Sequence, residues 1–133
     1  MIRTQDCGAA DARIRLDQAR HFLEVAEVVQ DNELDASLSV AASLSVLAGI
    51  AAADAASCIA LGARARGKDH REAERIVSKV PGVGDEMAKA LRRLLNLKDD
   101  AHYGMLYVSN QNTVAAMRSA RRLVELAEQV TLG

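Results

Sequence analysis

Aromatic side chains are scarce: Phe22, Tyr103 and Tyr107 are the only three, and tryptophan is missing from the 133 residues. This leaves no row of base-stacking platforms of the kind single-strand binders use. Cysteine occurs twice, at Cys7 and Cys58, in unlike contexts. Two such residues cannot by themselves found a disulfide framework or a zinc site. Cys58 is expected as a small core residue, Cys7 in a mobile start covering residues 1–8, and the compartment as a reducing cytoplasm. Proline occurs once against eight glycines, with 26% charged residues and a formal net charge of −1. That composition belongs to a globular chain rather than a disordered or fibrous one, and its length suits a single domain over 1–133.

A basic start followed by an uninterrupted apolar stretch is also lacking, so no secretory leader is expected. Residues 36–53 hold 18 positions without a charge, about the minimum for a membrane span. Their content argues against one: from Ala36 to Ser57, 15 of 22 residues are Ala, Ser or Gly, and Asp54 interrupts the run. A core helix is predicted, and no membrane contact. Charge is divided unevenly along the chain. Residues 1–62 carry four Lys/Arg and nine Asp/Glu, residues 63–133 thirteen and nine. An acidic first half and a basic second half can neutralise one another on a solvated surface, or the basic half can meet phosphates.

Strand signals are nearly absent, while Ala, Leu, Arg and Glu recur at spacings of three and four. The spacing predicts five helices. The first runs from Ala9 to Gln30, with Leu16, Ala19, Phe22, Leu23, Ala26 and Val29 as its apolar stripe. The second, Leu34 to Leu61, is apolar nearly all round, and Gly62 is placed to end it. Its small residues at successive turns, such as Ala41, Ser45 and Gly49, permit close approach of neighbouring backbones, inside the subunit or across a two-fold axis. A basic loop, Gly62 to Lys68, precedes a third helix from Asp69 to Lys79. The fourth, Asp85 to Tyr103, leaves Lys89, Arg92 and Arg93 outward, and the fifth, Asn112 to Thr131, carries Arg118, Arg121 and Arg122. Short connections favour an all-α, antiparallel up-and-down bundle of four to five helices.

Two places carry chemistry. Asp54 is the only charge between Asp35 and Arg64, on a helix expected to be buried, so it needs a partner. It belongs either to a polar site or to a structural ion pair. The second place is Lys98 to Gly104, where Lys98 and His102 stand about 40° apart on a helix and can act at one spot. Such a pair suits a phosphodiester, the lysine neutralising charge and the histidine moving a proton. The alternative is a solvated helix end. His21 and His70 lie far from His102 in sequence, without metal-ligand spacing, so no metal site and no cofactor are expected. Neither a Gly-rich phosphate loop after a strand nor a nucleophile elbow is found.

The order of a helix beginning AxxFLExAE (19–27), the small-residue helix AGIAAADAASC (48–58), GKDHREA (67–73) and LKDDAHYG (97–104) resembles the HEPN superfamily, helical nucleotide-binding domains of prokaryotes and higher eukaryotes. The resemblance covers nearly the whole chain. It implies a bundle of four or five helices, a homodimer, and often metal-independent RNA cleavage in toxin or defence systems. By this likeness only His102 is carried over; with Lys98 and Asp54, singled out above from spacing and burial, it makes up the catalytic candidates, and Arg66, Tyr103, Arg92 and Arg93 are the binding candidates. RNA or a nucleotide is the expected ligand, a protein such as an antitoxin the expected partner. The active pattern of the family places an Arg four to six residues before the His. Here Arg93 and Arg92 stand nine and ten residues before His102, about 180° and 80° away on an ideal helix. Members without the active pair serve as binding or assembly modules, which is the second reading. A third comes from Val80 to Gly84, whose VPGVG sequence resembles the hairpin of helix-hairpin-helix DNA-binding motifs, and which also suits a plain connector.

Overall fold

The computed structural model describes residues 3–32, 34–67, 69–103 and 107–133, and for 98–103 the backbone alone. In chain order the elements are β1 (Thr4–Asp6), α1 (Ala9–Gln30), α2 (Asp35–Leu61), β2 (Ala63–Ala65), α3 (His70–Val77), α4 (Gly84–Tyr103) and α5 (Asn110–Leu132). The architecture is all-α, as the periodicity predicts, with helix limits within three residues of those expected.

Local chemistry explains most boundaries. The Asp69 carboxylate accepts from the backbone N–H of Arg71 at 2.9 Å to open α3, and the Ser109 hydroxyl accepts from that of Asn112 at 3.1 Å to open α5. Gly62 ends α2 in the left-handed region, φ 71°, where a Cβ would be strained.

Four long helices run up and down. The turn after α1 reverses the chain into α2. Val80 and Val83, just before the start of α4, line one cavity with Ile59 and Ala60 near the end of α2, while Leu94 lies opposite Gly49. So α4 runs antiparallel to α2. The start of α5 is tied to the start of α2, the Thr113 hydroxyl donating to the Leu38 carbonyl at 3.2 Å. At their far ends Gln129 and Val130 line one cavity with Ile59 and Ala60, so α5 runs parallel to α2; the Arg20–Glu128 and Arg121–Glu27 pairs set it antiparallel to α1.

The core forms around α2, whose small residues let Leu91, Leu94 and Leu123 close over its backbone. A Cβ at Gly49 would collide with Leu94, so the close approach that the small residues permit is used inside the subunit. By length and a mean hydropathy of 1.9, α2 is apolar enough to cross a membrane. In the bundle 72% of that stretch is buried, which identifies it as the core helix.

Two features overturn expectations from the sequence. Residues 4–6, placed in a mobile start, form a strand antiparallel to 63–65 of the supposed loop, with Gln5 opposite Arg64. Three-residue strands without β-branched alternation leave no periodic signal. Cys7 and Cys58 form a disulfide, with Cα atoms 5.2 Å apart across 51 residues of sequence. Folding over that separation is what joins the two unlike contexts. The bond also removes the inference of a reducing compartment from unpaired cysteines.

Candidate functional site

The antiparallel contact of α4 and α5 brings together two basic clusters that are far apart in sequence. Lys89 and Arg93 are one turn apart on α4, with the buried Ala90 beside them; Arg118 and Arg122 are one turn apart on α5, with Ser119. The small side chains of Ala90 and Ser119 leave a groove of about 380 Å³ between the two rows. Among the described residues, Glu86 is the one acidic side chain lining it.

Glu86 is engaged by Arg122 in a two-pronged contact, Nε to Oε2 at 2.5 Å and Nη2 to Oε1 at 3.2 Å, while Nη1 reaches Glu125 at 3.2 Å. The Arg122 hydrogen bonds hold the Glu86 carboxyl below its usual range, and the two carboxylates push the guanidinium above its own. Arg122 is therefore already neutralised. Among the described residues, Lys89, Arg93 and Arg118 have no acidic partner, and all three are exposed. Three unneutralised cations in one trough suit phosphate oxygens along a backbone. Among the described residues, no aromatic and no histidine lines the groove, and those that do offer neither a stacking platform nor a proton shuttle.

Asp54 lies elsewhere, facing α1, and has the partner its burial demands. Arg15 Nη2 donates to its Oδ2 at 2.8 Å and Arg15 Nη1 to Gln18 at 2.7 Å. Burial pushes the Asp54 carboxyl up; the charge and hydrogen bond of Arg15, then the charges of Arg64 and His70, oppose that rise. Beside this pair is a groove of about 420 Å³, lined by Asp6, Cys7, Asp11, Arg15 and Arg64 among others. Its charge is mixed. Arg64 donates to Gln5 across the strand pair at 3.3 Å and to the Ala65 carbonyl at 3.1 Å. The arrangement reads as the structural ion pair, at the junction where the N-terminal segment meets the bundle.

The remaining candidates scatter. Arg92, next to Arg93 but about 100° round the helix, turns to α3, where its Nε donates to the buried Glu74 at 2.6 Å. Glu74 also receives Arg71 at 3.4 Å. Arg66 is exposed after β2, its backbone N–H bonded to the Arg3 carbonyl at 2.9 Å. The side chains of Lys98, His102 and Tyr103 lie outside the described residues. The backbone of α4 carries position 102 away from Asp54: counted from the Gly49–Leu94 contact, the two stand about 20 Å apart along the bundle axis. A site combining Asp54 with His102 within one subunit is not what this geometry brings together.

In the VPGVG hairpin, Val80 is buried and Val83 packs on the core, with Gly82 at φ 83°. The segment closes one end of the bundle as a connector. Reading the helices one at a time missed Lys89, Arg118 and Arg122 as one site, although each arginine or lysine pair at i, i+4 spacing is visible in the sequence. No protein-family model matches this chain, and no curated protein shows significant similarity to it.

Proposed function

We propose that this chain is an RNA- or nucleotide-associated helical module of HEPN type that grips a phosphodiester backbone in the α4/α5 groove. The observation that carries this reading is the meeting of Lys89, Arg93 and Arg118, without acidic partners among the described residues, in one trough beside the neutralised Arg122. The contacts available are to phosphate, so binding is independent of base sequence and falls with salt. The all-α bundle and the order of its elements fit the HEPN likeness, in which a homodimer and a partner protein such as an antitoxin are expected. The groove itself supports binding rather than cleavage, because its arginine on α4 stands about 180° round the helix from His102.

The test is fluorescence anisotropy with a labelled single-stranded RNA, comparing wild type with Lys89→Ala/Arg93→Ala/Arg118→Ala at equal ellipticity. Loss of three phosphate contacts should flatten the slope of log K against log salt by about 2. An unchanged slope refutes the groove as the contact. Incubating the same RNA with wild type and His102→Ala under chelating conditions separates binding from metal-independent cleavage. Cleavage that vanishes in the variant would replace the binding reading by the catalytic one.

A further inference from the structure

We infer that the Cys7–Cys58 disulfide is a redox-operated clip, which holds the N-terminal strand over the Arg15–Asp54 junction and releases it when a dithiol reduces the bond. The two sulfurs differ in access. Cys58 is 2% exposed near the end of α2, whereas Cys7 is half-exposed and lines the groove beside Arg15 and Arg64. A reducing thiolate therefore attacks Cys7 Sγ, and Cys58 leaves as a thiolate that takes up a proton. The second thiol of the reductant then resolves the mixed disulfide, freeing the Cys7 thiol. The protein gains two electrons and two protons, and the dithiol loses them to become a disulfide.

What the bond holds is weakly held otherwise. All three residues of β1 are exposed, so the strand buries no apolar side chain. Its remaining ties are the short ladder to β2, the Cys7 N–H to the Gly62 carbonyl at 3.0 Å, the Arg66 N–H to the Arg3 carbonyl at 2.9 Å and the exposed side-chain bond from Arg64 to Gln5 at 3.3 Å. A two-stranded ribbon of this length is marginal in water. The other strand is anchored independently, because Ala65 of β2 is buried in the main core. Reduction thus detaches β1 and leaves β2 and the helices in place. The wall formed by Gln5, Asp6 and Cys7 swings away, and Arg15 and Arg64 on the other side of the groove open to solvent.

The experiment is amide hydrogen exchange by mass spectrometry on the full chain, oxidised and then in excess dithiothreitol. In the reduced form the amides of residues 4–7 should exchange about ten-fold faster or more, while α2 and α5 stay protected over the same interval. Oxidised glutathione should restore the original protection. Cys7→Ser/Cys58→Ser should show the open pattern without reductant and keep wild-type helical ellipticity. Unchanged protection of residues 4–7 in reduced protein or in the variant overturns the clip. So does loss of protection throughout the helices, or a variant that fails to fold, since either makes the bond a staple for the whole bundle. A bond that dithiothreitol does not open overturns it as well.

Discussion

Replacing Arg15 by methionine keeps most of the apolar stem and removes the cation that faces Asp54. The Asp54 side chain is 9% exposed and that of Arg15 29%, so the carboxylate would be left buried without its partner. Breaking a buried pair costs about 3–5 kcal/mol; the partial exposure of Arg15 places this case near 3 kcal/mol. The cost depends on pH in a definite direction. Burial already raises the folded pKa of Asp54 above its ordinary 3.8, against the opposing charge of Arg15. A raised carboxyl pKa means that the folded state binds the proton more tightly than the unfolded state. The stability tied to this group is therefore complete below 3.8 and is lost as pH rises through the folded value. Without Arg15 the folded value climbs further, so the deficit is largest where Asp54 must be charged and shrinks in acid. Urea unfolding should show Arg15→Met less stable than wild type by about 3 kcal/mol at neutral pH. Near pH 4 about 1 kcal/mol should remain, from the lost Arg15–Gln18 hydrogen bond. Adding Asp54→Asn should recover most of the neutral-pH deficit. An equal deficit at both pH values would refute the claim that a buried charge stripped of its hydrogen-bonded partner is the cause.

Other perturbations follow from the same geometry. Gly84→Ala would put a Cβ 2.5 Å from the Ser78 carbonyl oxygen and 2.8 Å from that of Val77; thermal melting should show a loss of about 2–3 kcal/mol, and an unchanged midpoint would refute the close approach. Gly82→Ala forces φ 83° on a residue with a Cβ, costing about 1 kcal/mol. Its nucleic-acid affinity should stay within about two-fold of wild type; a steep loss would restore the hairpin as a DNA contact. Breaking the disulfide opens a loop of 51 residues, which on the chain-entropy account lowers global stability by up to about 4 kcal/mol in denaturant titrations. A loss far above that would mean the bond also holds native packing.

How far the molecule can be read from sequence depends on the range of the interaction. Helices were legible because their signals are local: the α1 stripe, the i, i+3 and i+4 spacings and the Gly62 stop all act within a few residues. That Asp54 needs a partner was legible too, since a charge on an apolar helix announces its own cost. The identity of that partner was not, because Arg15 is 39 residues away and meets it only after α1 folds back on α2. The disulfide and the strand pair were hidden for the same reason. Arg92 and Arg93 show the limit within a helix: both point outward on α4, yet one reaches α3 and the other the groove, and only the position of neighbouring helices separates them.

The uneven charge division is where this limit bears most on function. Mutual neutralisation of the halves would need pairs between them, and among the described residues two do so, Arg121 with Glu27 and Arg20 with Glu128. The other arginine pairs lie within one half: Arg15–Asp54 in the first, and in the second Arg71 and Arg92 with Glu74 and Arg122 with Glu86 and Glu125. The basic surplus of the second half is thus not cancelled by the acids of the first, and three of its unpaired cations, Lys89, Arg93 and Arg118, share one groove. If position rather than net charge is what RNA meets, Lys89→Glu/Arg118→Glu should weaken binding far more than a charge-matched control. Arg13→Glu/Arg75→Glu is such a control, with both residues exposed and outside the groove. At about 0.1 M salt the Debye length is roughly 10 Å, so charges beyond the groove are largely screened. The groove double variant should then lose about ten-fold or more in affinity and the control about two-fold. Equal losses would show that general electrostatic attraction, and not the α4/α5 trough, holds the RNA.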